Sequence, residues 1–457
     1  MIKPYDVIII GAGAGGIFAA LSLLKENKNP NILMIEKGNE LSRRICPIDG
    51  DKIKSCIHCS VCAIMHGYGG AGTLSDGKYN ITNNFGGDLY KYIGYDTAMK
   101  IMREVDEILC SMGGKDAKLY STCNSKLKSE ALKYDLHLLD AEVRHLGTDR
   151  NLKILRNIYE FLKDKITIKF YEGAIDIEKN ENFTVTTNLN KYEGRKVIVA
   201  TGRSGSKWIS AICKKLDIVT KSNRVDIGVR LEMPHAVFAH ITDEVYESKI
   251  MYRTKKYSDL VRTFCMNPHG EVVTENTNGI VTVNGHSYAN PDLHTDNTNF
   301  ALLVSNKFTE PFKESNEYGE SIAKLSNMLG GGVIIQRFGD LIKGRRTNEN
   351  RLLKSFTIPT LKATPGDLSL VLPKRQLDDI IEMVFALDKI APGISNEDTL
   401  VYGIEVKFYN SNIEVDNNLE TKVKDLYIIG DCSGVTHSLS QASASGIYVG
   451  RRISNEY

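Results

Sequence analysis

The chain carries an uncharged run from Val7 to Leu24. It is entered by Asp6 to Ile10 (DVIII), short, apolar and β-branched, with glycines directly after it, which predicts a buried parallel strand. Ile17 to Lys25 puts Phe18, Leu21 and Leu24 inward and predicts a helix. Asn31 to Glu36 (NILMIE) predicts a second buried strand, which completes a β-α-β unit of about 30 residues. Length alone would let the uncharged run span a membrane. Gly11, Gly13, Gly15 and Gly16 in its middle favour a strand, a turn and a helix start instead.

Arg43 to Lys78 has no periodicity and is rich in Cys and Gly, so a loop is expected there. Helical patterns cover Asp88 to Ser111 and Asn151 to Asp164. Ile166 to Val199 alternates apolar and polar positions between turns, as a small antiparallel meander feeding a buried strand would. Val225 to Val304 predicts short strands broken by Asn, Gly and Pro, and Ser321 to Leu329 and Leu377 to Leu387 predict helices. Leu426 to Ile429 predicts another buried strand, followed by GDCSG and a helix from about Ser440 to Ile453.

Length then sets the domain count. At 457 residues, two or three domains are expected. The net charge of +2 gives no field that argues for nucleic acid or a membrane surface, and neither is expected as a partner. The chain shows no targeting segment, so a cytoplasmic setting is expected. Its nine cysteines should then be mostly reduced, with clustered ones metal-binding or redox-active.

Gly11-Ala12-Gly13-Ala14-Gly15-Gly16 fits GxGxxG at the end of a strand and the start of a helix, the context that gives this pattern its meaning. Gly11 permits the tight turn, Gly13 lets backbone approach a pyrophosphate, and Gly16 lets helix and strand pack closely. The helix start offers free N–H groups and partial positive charge to phosphates. Glu36, about 20 residues on, ends the second strand as a ribose acceptor would. This much describes a dinucleotide site without separating FAD from NAD.

The far end of the chain separates them. LYIIGD (Leu426 to Asp431), followed by the small-residue helix SQASASGIYVGRR, resembles the second FAD motif of glutathione-reductase-like flavoproteins. In that motif the strand-end acid, here Asp431, binds the ribityl chain. KVIVATG (Lys196 to Gly202) resembles the "ATG" strand of the same families. Over nearly its full length the chain also resembles bacterial FAD-dependent dehydrogenases, distant relatives of geranylgeranyl reductases and p-hydroxybenzoate-hydroxylase-like enzymes. The carriers are GGAGTLSDGK (Gly69 to Lys78), VDIGVRL (Val225 to Leu231), RTFCMNPHGEVV (Arg262 to Val273) and ATPGDL (Ala363 to Leu368).

The resemblance implies an α/β fold: a Rossmann-type FAD-binding domain (1–217 and 373–457) with an inserted β-rich substrate domain (218–372). It implies FAD contacts along Lys37, Arg44, Gly70, Ala71, Gly72, Ser75, Asp76 and Gly77. Ala200, Thr201, Gly202, Gly430, Gln441 and Gly446 would join them. A small-molecule substrate should lie between the domains, over the N5 side of the flavin. No second GxGxxG follows a strand, so NAD(P)H would dock transiently or a ferredoxin-like carrier would supply electrons. The expected activity is a dehydrogenase or reductase. A flavin monooxygenase and a non-enzymatic flavin-binding module are the alternatives. His437, between GDC and the last helix, is the candidate proton donor, against a plain loop role.

Cys56, Cys59 and Cys62 form CxxCxxC, with Cys46-Pro47 upstream. Four such thiolates suit a [4Fe–4S] cluster, and zinc, a Cys56/Cys59 redox pair and free thiols remain open. His58 and His66 are alternative ligands. Cys110, Cys123, Cys213, Cys265 and Cys432 are expected to be buried small hydrophobes. Arg345 and Arg346 are expected to be solvated, with an acidic substrate as the other reading.

Overall fold

In the computed structural model the described residues are 4–25, 29–47, 52, 57, 59–123, 126–277, 279–288, 290–308, 312 and 314–456. They divide into two compact units, one of residues 1–119, 143–223 and 409–457, the other of 120–142 and 224–408.

The first unit is built on β1 (Tyr5–Ile10), α1 (Ala14–Leu24), β2 (Ile32–Ile35), α2 (Tyr95–Leu109) and α3 (Thr148–Leu162). There follow β3 (Thr167–Lys169), β4 (Ala174–Lys179), β5 (Phe183–Thr187), β6 (Lys191–Val199), β7 (Leu426–Ile428) and α4 (Leu439–Asn455). The sheet runs β3-β2-β1-β6-β5-β4, with β7 also paired to β6. β3, β2, β1, β6 and β7 are parallel, and the apolar side chains of β2, β7 and the ends of β1 and β6 are covered on both faces, which is why β1 and β2 read as continuous hydrophobic runs. β6 changes role along its length. Lys191 to Gly194 pair antiparallel with β5, and Val197 to Val199 lie between β1 and β7. The expected meander therefore leads straight into the parallel sheet.

The expected continuous helix from Asp88 to Ser111 is instead two, Tyr90–Ile93 and Tyr95–Leu109. Gly94, at φ +86°, breaks the run by leaving the helical region that its neighbours occupy.

The second unit holds an eight-stranded sheet. At its centre Val225–Pro234 lies between Leu400–Lys407 and Asn297–Asn306, antiparallel to both. The helix Lys374–Leu387 packs on Val225–Pro234 and Asn297–Asn306. These pairings move the boundary from the expected residue 373 to 409. They also bring in 120–142, because Leu136–Leu138 pairs with Ile250–Arg253. No helix among the described residues is long and apolar enough to cross a membrane.

Candidate functional site

Ligands of open α/β sheets bind outside the carboxyl ends of the parallel strands. At that edge β1 runs into Gly11, β2 into Glu36, β6 into Ala200 and β7 into Ile429 and Gly430. The first unit therefore gathers the terminal motifs at one rim, although they lie more than 400 residues apart in sequence.

The turn after β1 cannot hold larger residues. Gly11 sits at φ +106°, and a Cβ there would lie 2.5 Å from the Ala200 carbonyl oxygen. A Cβ on Gly16 would meet the Gly11 oxygen at 2.0 Å. Gly13 differs: nothing comes within 3.9 Å of its added Cβ, so backbone is open where a diphosphate would approach. Gly13 also caps α1 without a side-chain bond, and no acid occupies the first turn. An uncapped helix start beside an open glycine suits an anionic diphosphate. On the far side of α1, Gly15 and Gly446 let α1 and α4 touch backbone to backbone, since a Cβ on Gly446 would lie 2.2 Å from the Gly15 oxygen. Gly446 thus sets helix packing instead of facing the rim.

Glu36 is buried and holds three backbone N–H groups. Its Oε2 accepts from Ala12 at 2.9 Å, and its Oε1 accepts from Gly38 at 2.8 Å and Gly67 at 2.9 Å. A carboxylate has about four acceptor positions, so one, on Oε2, is left for a ribose hydroxyl. Lys37 is exposed, its stem over Gly173. Arg44 is turned inward. Its guanidinium donates to the carbonyls of Ala63, Ile64, Tyr68 and Gly70 and to Thr73 Oγ1. Burial pushes its pKa down to about 10, against the pull of Glu36. Its donors are thereby committed to shaping the loop 63–73.

That loop lies along the glycine turn. Gly69 N–H donates to Ala12 O at 2.7 Å, and Gly69 bridges Gly13 in parallel. A Cβ on Gly70 would stand 3.1 Å from the Gly13 Cα, and Ala71 is exposed. The rest of the stretch supports itself. Gly72 packs under Leu439, Ser75 Oγ donates to Gly72 O at 2.7 Å, Asp76 pairs with Lys78 at 2.9 Å, and Gly77 packs on Asn151. Asn151, which no local pattern marks, donates to Gly72 O at 2.9 Å and Thr73 O at 3.1 Å.

At the other end of the rim, Asp431 accepts from Thr436 Oγ1 at 3.1 Å and lies 3.7 Å from the Arg203 guanidinium. Asn410, also unmarked in sequence, donates to Asp431 O at 3.0 Å and Gly202 O at 3.4 Å. Gly202 is open, with nothing within 4 Å of an added Cβ, and Thr201 lies beside it. Gln441 is fully buried. It donates to the Thr82 and Phe85 carbonyls at 3.2 and 3.3 Å and accepts from Leu89 N–H, so it pins the segment 82–89. His437 is half-buried, its N–H donating to Gly86 O at 2.8 Å and its ring edge-on to Tyr409.

Cys56 and His58 lie outside the described residues. Among the described residues, no three His, Cys, Asp or Glu side chains gather as a metal ion requires. Cys59 is exposed, and Cys46 and Cys62 are half-buried. Cys62 O accepts the N–H groups of Met65 and His66, so the cysteine segment turns directly into Gly67, one of the Glu36 donors. Burial, with the Lys37 charge, holds His66 below its ordinary range. Of the scattered cysteines, Cys213 and Cys432 are buried as expected. Burial pushes their thiols up to about 12 and about 11, which removes them as nucleophiles. Cys123 is exposed, contrary to expectation, because it follows a short edge strand with polar flanks.

Residues 225–408 match the family described as FAD-dependent protein, C-terminal domain-like. No curated protein is matched by sequence. Similar solved structures include a salicylate hydroxylase substrate complex (TM-score 0.44, 10% identity, 99% of this chain and 79% of that one). Glycine oxidase from Geobacillus kaustophilus gives a TM-score of 0.39 at 10% identity over 99% and 93%. CtdE in complex with FAD gives 0.38 at 11% over 99% and 84%. Likenesses this distant carry nothing on the reaction. The family match covers residues 225–408, less than half of the chain, and makes that stretch similar to an FAD-dependent protein.

Proposed function

We propose that the unit of residues 1–119, 143–223 and 409–457 binds one FAD and that the chain oxidises or reduces a small organic molecule. The observation that carries the reading is the pairing of two glycine segments, Gly11 to Gly16 and Gly67 to Gly72, joined by the Gly13–Gly69 bridge beside an uncapped helix start. In this reading Gly13 and the first N–H groups of α1 hold the diphosphate. The remaining Oε2 lone pair of Glu36 accepts a ribose hydroxyl. Asp431, positioned by Thr436 and Asn410, accepts a ribityl hydroxyl. Bound flavin supplies two-electron or stepwise chemistry at N5, while the protein positions and excludes water. His437 is the residue best placed in sequence to hand over a proton, and residues 224–408 are the substrate-selecting unit.

The test is direct. Purified protein should be yellow, release FAD on denaturation and contain about one flavin per chain. Anaerobic addition of NADH, NADPH or a reduced ferredoxin identifies the electron donor. Without a second glycine fingerprint, nicotinamide binding should be no tighter than about 100 μM. Colourless protein that takes up no FAD on reconstitution overturns the proposal.

The finer part of the reading is an electron conduit at Cys46, Cys56, Cys59 and Cys62, supported by their spacing and by the direct turn from Cys62 into Gly67. Iron and sulfide analysis after anaerobic purification decides it. About four irons per chain, lost together in Cys59→Ala, is the expected result. One zinc, a Cys56–Cys59 disulfide or no metal removes the conduit and leaves the FAD assignment standing.

A further inference from the structure

Three large apolar side chains stand outward on one segment of the second unit: Leu353 is 84% exposed, Phe356 92% and Ile358 77%. The segment is not slack. Between Phe356 and Ile358, Thr357 is buried at 2%. Phe356 N–H donates to Asp398 Oδ2 at 3.3 Å, Ile358 O accepts from Asn297 Nδ2 at 2.8 Å, and Thr360 N–H donates to Glu232 Oε2 at 3.2 Å. Backbone and alternate residues are tied inward, so Phe356 and Ile358 are held out by the fold. Exposed apolar groups that a structure fixes in place mark a surface awaiting a partner.

Charge identifies the partner. Residues 343–362 carry Lys343, Arg345, Arg346, Arg351, Lys354 and Lys362 against Glu349 alone. Six minus one is a net +5, in a chain whose total is +2. Lys343 and Arg345 are paired with Glu397 and Asp340, and Arg351 lies 4.0 Å from Asp340. Arg346, Lys354 and Lys362 are exposed and make no ion pair among the described residues. Lys354 lies between Leu353 and Phe356 in sequence, so cation and apolar groups alternate. A symmetric contact between two copies would set this patch against itself and face cations with cations. A layer with anionic headgroups above hydrocarbon satisfies both groups at once.

We propose that residues 343–362 dock the protein on an anionic lipid surface. Phe356 and Ile358 enter the interface, and Arg346, Lys354 and Lys362 meet the headgroup phosphates. The near-neutral charge of the whole chain conceals the patch, because it averages a basic segment with acidic ones elsewhere.

The test is co-sedimentation of the full chain with vesicles of phosphatidylcholine alone, and with about a third phosphatidylglycerol. Binding should require the anionic lipid and fall at high salt. Phe356→Ser with Ile358→Ser, and separately Lys354→Glu with Lys362→Glu, should each weaken it by about tenfold or more. Unchanged thermal melting of these variants shows that the fold is intact. Binding that the variants do not affect, or no binding to either vesicle, overturns the proposal. So does a concentration-dependent dimer in sedimentation velocity that the Phe356 variant abolishes, since the patch is then a protein interface.

Discussion

Gly69 donates its N–H to Ala12 O at 2.7 Å and bridges Gly13 in parallel, which lays a loop some 55 residues downstream along the turn of the first β-α unit. Gly69 sits at φ +85°, and a Cβ there would lie 2.1 Å from Thr73 Oγ1. That hydroxyl cannot swing aside, because Arg44 Nη1 donates to it at 2.5 Å and it donates to Tyr68 O at 2.9 Å. Gly69→Ala should therefore cost about 2 kcal/mol or more and lower flavin content. Gly331→Ala, in the second unit, is the control. It sits in the left-handed helical region at φ +64° and ψ 12° with nothing near an added Cβ, so it should cost only about 1–2 kcal/mol of backbone strain and leave flavin content unchanged. Flavin absorbance per chain and thermal melting of both variants check the contrast.

Glu36→Gln should destabilise the protein even without flavin. Three N–H groups converge on the carboxylate, and the amide replacing it would present hydrogens to at least one of them. The expected loss is about 1–3 kcal/mol in apoprotein unfolding by urea, with weaker FAD retention in addition. Unchanged apoprotein stability would mean that Glu36 serves only the ligand.

In the second unit Arg230 and Glu405 form a bidentate pair at 2.8 and 2.9 Å, both buried. Arg230→Met leaves the Glu405 carboxylate without its partner and should cost about 3–5 kcal/mol. Arg230→Met with Glu405→Leu should recover much of that loss, because neither charge of the pair is then left buried without its partner. Equilibrium unfolding of the two variants measures the difference.

Three histidines of the same unit are layered. The His235 ring lies 3.6 Å from that of His269, which stacks on His294 at 5.2 Å. Burial, then the neighbouring His269, holds His235 below its ordinary value, with Asp243 opposing. The folded state thus takes up this proton less readily than the unfolded chain does. The stabilisation is full above the unfolded pKa of about 6.5 and is lost as pH falls through it toward the lower folded value. Melting temperature should fall between about pH 7.5 and 5.5, and less steeply in His235→Asn.

The sequence by itself determined the local elements of the FAD-binding unit. A β-branched run such as DVIII is predisposed to burial, and GAGAGG imposes its own turn, because only glycine readily adopts φ +106°. These properties belong to neighbours in the chain, so periodicity and residue type reveal them.

Tertiary structure decided the partners. Nothing near Arg44 shows that it turns inward to hold the loop, and nothing near Gln441 shows that it pins residues 82–89, more than 350 positions earlier. Asn151 and Asn410 enter the rim only because α3 and the chain after Leu400–Lys407 arrive there. The boundary at 409 follows from strand pairing across 170 residues, and the outward Phe356 from a backbone tied to Asp398 and Asn297. A side chain's hydrogen-bonding capacity is written in its type. Which distant backbone group uses it is settled only when the sheets close and unpaired buried donors must find acceptors.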